Sequence, residues 1–253
     1  MRLDFSNQVV AVTGAGTGFG RAIARSFAAL GARVFATDVK AEGLAETAAG
    51  QAGIATAVVD LTDRAAAAAW IAAVEREAGA PVAVLVNNAG GTLFQTFRPI
   101  DEVADADWDR IFAVNVDATF VLCRAAAPGM KRAGRGRIVN ISSTAALKAS
   151  RTRIQAYASA KHAVIGLTRQ LAQELGPHGI TVNSVAPGLI LTDEEKRAEW
   201  EGGGQARRDA TLAAIPLGHL GEAQDIADAV LFFASPLAKF VSGQVLPVNG
   251  GSF

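Results

Sequence analysis

An α/β fold, doubly wound about a mainly parallel seven-stranded sheet with helices on both faces, is the architecture this sequence predicts. Three observations lead there. Short β-branched runs alternate with longer helical patterns along the 253 residues. Several of these runs are apolar throughout, as strands covered on both faces must be, because neither side meets water. A glycine-rich turn separates the first run from the first helical pattern, where folds of this class accept a nucleotide phosphate. Alternation from end to end requires right-handed crossovers within one sheet. With no segment of linker composition, residues 1–253 read as a single domain.

In chain order, residues 9–12 (Val-Val-Ala-Val) form the first strand, and the glycine turn leads into a helix over 20–30. A second strand over 33–37 is followed by a helix over 42–52, and a third strand over 56–59 by a helix over 64–78. The alanine-rich part of that helix, 65–74, is too short to span a bilayer, which takes roughly 20 apolar residues. The fourth strand lies over 82–86. A long helix over 107–131 carries Phe112, Val116 and Phe120 at helical spacing. The fifth strand spans 137–141. Residues 157–175 form another long helix, with Val164, Leu167 and Leu171. A sixth strand over 181–185, a helix over 222–234 and a last strand over 244–248 complete the order. Residues 189–215 break the rhythm: they are polar, with Glu194, Glu195, Lys196 and Arg197 and a Gly202-Gly203-Gly204 run. So long a connection reads as a mobile lid or substrate-binding segment.

Composition narrows the functional classes. Half of the residues are apolar and formal net charge is zero, with a pI near 6.8. No basic stripe is present to track a nucleic acid. The single cysteine, Cys123, precludes an internal disulfide, suits a reducing cytoplasm and lies in an apolar stretch as a small hydrophobe. The N-terminus has neither the apolar core nor the cleavage site of a signal peptide. His162, His178 and His219 lack metal-ligand spacing, so no metal is expected.

The first strand ends in Thr13-Gly14-Ala15-Gly16-Thr17-Gly18-Phe19-Gly20. Glycines let the backbone turn sharply and approach a pyrophosphate, whose charge meets the N-terminus of the following helix. Gly14, Gly18 and Gly20 do not follow the simple G-x-G-x-x-G spacing, and strand–loop–helix context is what gives the turn its meaning. The second strand ends at Asp38, eighteen residues beyond Gly20. A carboxylate there accepts hydrogen bonds from adenosine ribose hydroxyls and repels a 2′-phosphate, which points to NAD rather than NADP. No arginine or lysine lies within the loop, and Lys40 is the nearest basic residue.

Tyr157 is the only tyrosine in the chain and stands four positions before Lys161. Twelve phenylalanines supply most of the aromatic packing, so this phenol is kept for its hydroxyl. On a helix the two side chains share a face. An ammonium there favours phenolate and lowers a pKa that starts near 10, giving a general acid/base for an alcohol or carbonyl.

The glycine loop and the Tyr157/Lys161 pair together resemble the short-chain dehydrogenase/reductase family, and further motifs follow in family order over essentially the whole chain. Asp60-Leu61 follows the third strand, where the family places an aspartate against the adenine. Asn87-Asn88-Ala89-Gly90 ends the fourth strand beside the cofactor. Asn115 in Phe112-Ala113-Val114-Asn115-Val116 matches the asparagine of the catalytic tetrad, and Ile138-Val139-Asn140-Ile141-Ser142-Ser143 the strand delivering its serine. Pro187-Gly188-Leu189-Ile190-Leu191-Thr192 matches the segment that holds the nicotinamide carboxamide, and Ser242-Gly243-Gln244 to Asn249-Gly250-Gly251 the C-terminal strand and turn. Ser143 precedes Tyr157 by fourteen residues, one more than the commonest family spacing, which Thr144 would fit. Ser143 is chosen because the strand motif aligns without a gap. Asn249 stands where an aspartate is commoner.

The resemblance implies a Rossmann-type fold and an NAD-dependent oxidoreductase acting on a secondary alcohol or its ketone. It makes Asn115, Ser143, Tyr157 and Lys161 the catalytic set. Gly14, Thr17, Gly18, Phe19, Gly20, Asp38, Asp60, Leu61, Asn87, Ala89, Gly90, Pro187, Gly188, Ile190 and Thr192 join Tyr157 and Lys161 around the cofactor. It also implies a homotetramer built on the helices over 107–131 and 157–175. A 3-oxoacyl reductase is the runner-up, disfavoured by Asp38. Sugar-nucleotide epimerases use the same pair but carry a larger C-terminal substrate domain, and a non-catalytic dinucleotide-binding regulator would typically lack the tyrosine. The substrate pocket is expected between the segment after Ser143, residues 88–96 and the lid. Gly91-Thr92-Leu93-Phe94 suits an aliphatic or aromatic alcohol, or a sugar. Lys148, Arg151, Arg153, Arg197, Arg207 and Arg208 either meet an anionic substrate or are solvated and interface charges.

Overall fold

In a computed structural model describing residues 3–93, 97–150, 152–192 and 194–252, seven strands form one sheet. They are β1 (Val9–Thr13), β2 (Arg33–Asp38), β3 (Ile54–Val58), β4 (Val84–Asn87), β5 (Gly136–Ile141), β6 (Ile180–Pro187) and β7 (Val245–Val248). Their order is β3-β2-β1-β4-β5-β6-β7, and every pairing is parallel. From β1 the chain builds outward to β3, then returns to β1's other side to lay down β4. That reversal opens a crevice at the carboxyl ends of β1 and β4, where open α/β sheets bind their ligands.

Alternation along β1 shows why the strand is apolar throughout. Val10 and Val12 face one core with Ile23 and Phe27 of α1 (Gly18–Ala29), and Val9 and Ala11 face another with Trp70, Ile71 and Val74. Helices therefore cover both faces. Alongside α1 on the first face lies α9 (Ala223–Ala234), through Ile226 and Val230. On the second lie α3 (Arg64–Ala78) and α5 (Ala118–Ala133), through Leu122 and Met130. Phe27 is fully buried and meets Phe5 edge-on at 4.9 Å, so truncating it to Ala would cost about 3–5 kcal/mol.

Two expectations change. The helix expected over 107–131 is two helices, α4 (Asp105–Phe112) and α5, joined by one π-type turn, Ala113–Asp117. Asn115 drives the break: its side-chain amide donates to the Ile111 carbonyl at 2.9 Å, the acceptor its own N–H would use in an unbroken α-helix. The whole run Asp105–Ala133 is long and apolar enough to cross a membrane by composition. In the fold it is a core element, with Val121, Leu122, Ala126 and Met130 buried.

The polar segment 189–215, for which no helical pattern was expected, is largely regular. It holds α7 (Glu194–Gly202) and α8 (Gln205–Ala213), separated by Gly204 at φ +76°. A parallel bridge between Ile190 and Gly221 pins its base. Smaller differences fall at element ends. The third strand begins at Ile54, and the helix bearing Tyr157 and Lys161, α6 (Gln155–Leu175), begins two residues before Tyr157. The remaining helix, Ala41–Ala48 (α2), is shorter than expected.

Candidate active site

At the mouth of β1 the three glycines are required by contact. Gly14 has φ +62°, and a Cβ there would lie 2.8 Å from the Ala89 Cα. Gly18 has φ +51°, and a Cβ would lie 2.8 Å from the Thr192 Cβ. A side chain on Gly20 would run into the Gly14 carbonyl. Thr17 precedes α1 in an extended conformation without using its side chain to cap it, so the first N–H groups of α1 face the loop. The loop is thus a bare-backbone cradle with a positive helix end behind it, which fits a dinucleotide pyrophosphate. Phe19 packs on the core.

The loop is braced by Thr13 and Asn88, two motif residues to which the sequence reading gave no bracing role. Thr13 Oγ1 accepts from the Asn88 and Ala89 N–H groups, each at 3.0 Å. The Asn88 side chain donates to the carbonyls of Thr13 (2.9 Å) and Gly14 (3.0 Å). These contacts join β1 to β4 across the crevice and carry no motif of their own.

Asp38 ends β2 beside the loop. Its Oδ2 accepts from Gly16 N–H at 2.9 Å, and Oδ1 from Lys40 N–H at 3.0 Å. Lys40, expected to be the nearest basic residue, meets it through backbone alone. The cation that reaches the loop is Arg21, whose Nη2 donates to the Gly16 carbonyl. Asp60 is exposed, and the Thr62 hydroxyl at 2.7 Å, followed by Thr62 N–H, holds its carboxyl below the usual range. The Leu61 side chain is buried in the core, which leaves its backbone for a ligand. Asn87 is turned inward: Nδ2 donates to Asn140 Oδ1 at 2.8 Å and to Cys123 Sγ at 3.2 Å. Burial pushes the Cys123 thiol up to about 12, consistent with the unreactive role expected of it.

Three elements bring the four catalytic candidates together: the end of β5, the π-type turn and α6. Ser143 follows β5 in an extended conformation, its Oγ accepting from Ala145 N–H at 3.1 Å and its side chain opposing the upward shift of the Tyr157 phenol. Neither hydroxyl next to it is free for that role. Ser142 is buried and donates to the Lys161 carbonyl at 3.2 Å, and Thr144 donates to the Pro187 carbonyl at 2.6 Å. Tyr157 packs against Ile111, Ala156 and Ala160. Lys161 is buried one turn further along α6, its Nζ donating to the Ile141 carbonyl at 2.9 Å and standing 5.7 Å from the Tyr157 ring centroid. Asn115 pairs with Gly91 in both directions, accepting from its N–H at 3.1 Å and donating to its carbonyl at 3.0 Å. Gly90, at φ +143°, leaves the space in which Asn115 and Lys161 approach each other: a Cβ there would strike Asn115 Oδ1 and lie 3.3 Å from Lys161 Nζ.

The electrostatics reverse one expectation. Burial pushes the Tyr157 phenol above its ordinary value, and the Ser143 hydrogen bond opposes this. Burial also pushes Lys161 down to about 8. Desolvation is the dominant cause for both groups, since burial in low dielectric disfavours the charged form of each.

The segment after β6 borders the crevice. Pro187 ends β6, and Gly188 N–H donates to the Val248 carbonyl at 2.9 Å. Ile190 is buried, while Thr192 packs on Gly18 and accepts from Lys196 at 2.9 Å. Most basic candidates near the pocket are occupied. Lys148 donates to the Ser252 carbonyl at 3.2 Å, Arg207 pairs with Glu199 at 3.2 Å, and Arg208 donates to the Glu201 carbonyl at 2.9 Å. Arg153 is exposed at φ +50°. Arg197 lines a cleft of about 1040 Å³ with Gly18, Arg21 and Thr192; none of the four catalytic candidates borders it. Phe94, Thr96 and Arg151 lie outside the described residues. Among the described residues, no cluster of His, Cys, Asp and Glu could hold a metal.

Comparison with known proteins agrees with this geometry. A family model described as enoyl-(acyl carrier protein) reductase matches residues 14–252. Galactitol 2-dehydrogenase (L-tagatose-forming) of Cereibacter sphaeroides is 42% identical over 99% of this chain and 96% of its own. D-threitol dehydrogenase of Mycolicibacterium smegmatis is 38% identical over 99% of this chain and 94% of its own. The crystal structure of levodione reductase superposes with a TM-score of 0.90 at 32% identity, covering 98% of both chains.

Proposed function

Because the chain belongs to the short-chain dehydrogenase/reductase family, we propose that it is an NAD-dependent dehydrogenase of a secondary alcohol, and specifically of a polyol. The observation that carries this reading is Tyr157 one helical turn from the buried Lys161, with Ser143 at the end of β5 and a glycine cradle beside them. Two relatives named for sugar-alcohol substrates, at 42% and 38% identity, support the polyol class. Asp38 supports NAD: it stands where the adenosine ribose would lie, and its charge opposes a 2′-phosphate.

Bound in this crevice, NAD supplies the hydride acceptor. The chain's residues do the rest. Gly14, Gly18 and the N-terminus of α1 receive the pyrophosphate, Asp38 the adenosine ribose, and Pro187 to Thr192 the nicotinamide end. Ser143 donates to the substrate oxygen and steadies charge developing there. Tyr157 takes the proton of the alcohol. Lys161 is the cation that stabilises the phenolate form of Tyr157 that accepts this proton. Asn115, fixed by Gly91 and Ile111, holds the bend that keeps Gly90 open to Lys161. The helices α7 and α8 form the substrate-side cover.

A homotetramer and a cytoplasmic location belong to the same proposal. Trp108 and Phe120 stay exposed on α4 and α5, the helices expected at subunit contacts. Cys123 as the single, buried thiol suits a reducing compartment.

The test is a panel of polyols, simple secondary alcohols and 3-hydroxyacyl thioesters, each offered with NAD and NADP while reduced cofactor is followed by absorbance. Polyol oxidation with NAD is expected to give the highest kcat/KM. Preference for a 3-hydroxyacyl thioester with NADP would replace this reading with that of an acyl reductase. Cofactor binding without turnover of any member would favour a dinucleotide-sensing regulator.

A further inference from the structure

Arg21 occupies a position that neither the glycine motif nor the catalytic residues account for. It lies on the first turn of α1, and its Nη2 donates to the carbonyl of Gly16. Gly16 is the residue whose N–H is held by Asp38 Oδ2 at 2.9 Å. One residue of the loop is therefore gripped by an anion at its N–H and a cation at its carbonyl. The same guanidinium is tied to α2. It donates to Thr47 Oγ1 at 3.1 Å and to the Gly43 carbonyl at 3.3 Å, and it pairs with Glu46 at 2.7 Å. The Arg21 side chain is 26% exposed and Glu46 65%, so the pair is open to solvent. Arg21 also borders the cleft shared with Gly18 and Thr192. A cation so placed would attract a phosphate on the adenosine ribose.

We propose that preference between NAD and NADP is held by two carboxylates, Asp38 and Glu46, against one guanidinium, Arg21. Asp38 repels a 2′-phosphate directly. Glu46 acts through Arg21, engaging the guanidinium on the α2 side and offsetting its charge. Removing Glu46 strips Arg21 of its carboxylate partner and removing Asp38 lifts the direct repulsion, so either change favours pairing of Arg21 with the added phosphate, as arginine does with phosphate oxygens. The proposal rests on the NAD reading above and names residues that a reading of the glycine motif leaves out.

Calorimetric binding of ADP and 2′,5′-ADP to the apo protein tests this without turnover, since these probes carry only the adenosine half of each cofactor. Wild type is expected to favour ADP. Glu46→Gln alters an exposed side chain and should improve 2′,5′-ADP relative to ADP by about threefold, and Asp38→Ala by about tenfold, as expected for removing a nearby charge. Adding Arg21→Met to Glu46→Gln should erase its gain, and Arg21→Lys in its place should keep part of it, whereas the Asp38→Ala gain should only shrink. The gains should fall as salt rises, because the charges are open to solvent. A Glu46→Gln ratio equal to wild type, or a Glu46→Gln gain that survives Arg21→Met, would overturn the proposal. Failure of wild type to bind ADP would instead remove the cofactor reading, and this inference with it.

Discussion

The Lys161 ammonium donates to the Ile141 carbonyl at 2.9 Å while sitting 5.7 Å from the centre of the Tyr157 ring. A fully buried lysine whose polar contact is one neutral carbonyl costs the fold stability. Its pKa of about 8, against an ordinary 10.5, measures that cost.

Lys161→Met is accordingly expected to stabilise the protein near pH 7, by an amount on the order of 3 kcal/mol. The folded-state pKa lies below the unfolded one, so the unfolded chain holds the proton more tightly. The penalty is complete below pH 8, shrinks as pH rises toward 10.5, and is gone above it. Urea unfolding of both proteins at pH 7 and pH 10 checks this. A stability difference that does not fall with pH would show that the shift is absent.

Tyr157→Phe should fold, bind NAD and lose at least about a thousandfold in turnover, within the range for removing a general acid/base. Tyr157 packs against Ile111, Ala156 and Ala160, contacts that phenylalanine keeps. Steady-state kinetics with a parallel NAD titration separates the two effects. Turnover near wild type would discard the proposed mechanism.

The Ser143 hydrogen bond lowers the Tyr157 pKa, which burial has raised. Ser143→Ala should therefore raise it further, moving the acid limb of the oxidation profile to higher pH besides lowering kcat. A pH series of kcat/KM for the alcohol reads the shift. An unmoved limb with reduced kcat would confine Ser143 to holding the substrate.

Thr144 joins the serine turn to the end of β6, donating to the Pro187 carbonyl at 2.6 Å. Thr144→Val keeps the shape and removes the donor, and should cost about 1–2 kcal/mol of stability with a raised KM for NAD. Thr144→Ser should restore both. A valine variant indistinguishable from wild type in thermal unfolding and NAD titration would show that the tie is idle.

How much was legible in the sequence depended on where each signal lives. The strands declared themselves because burial on both faces leaves no room for polar residues, as in Val9 to Val12. The helices α7 and α8 did not, since each is only nine residues long and mostly polar, too short a stretch for a clear apolar stripe. The π-type turn was hidden because Phe112, Val116 and Phe120 keep helical spacing across it. Tyr157 and Lys161 could be paired from their separation alone. The direction of their pKa shifts could not, because it follows from burial that only the packed fold creates. The bracing roles of Thr13, Asn88 and Arg21 were hidden for another reason: their side chains bond to groups of other segments, contacts that leave no local pattern.

The wide turn at Ala113–Asp117 also sets a phase. Each residue of an α-helix advances the azimuth by about 100°, so one surplus residue rotates all of α5 relative to α4. Trp108 and Phe120 owe their outward headings to that offset, and so does the inward heading of Val121 and Leu122. Deleting a single residue here would leave an unbroken, well-formed rod whose downstream half faced the wrong way, burying polar groups and baring the core. The bend that presents one asparagine to the crevice is thus also the indexing mark by which the longest helical run in the molecule keeps its orientation.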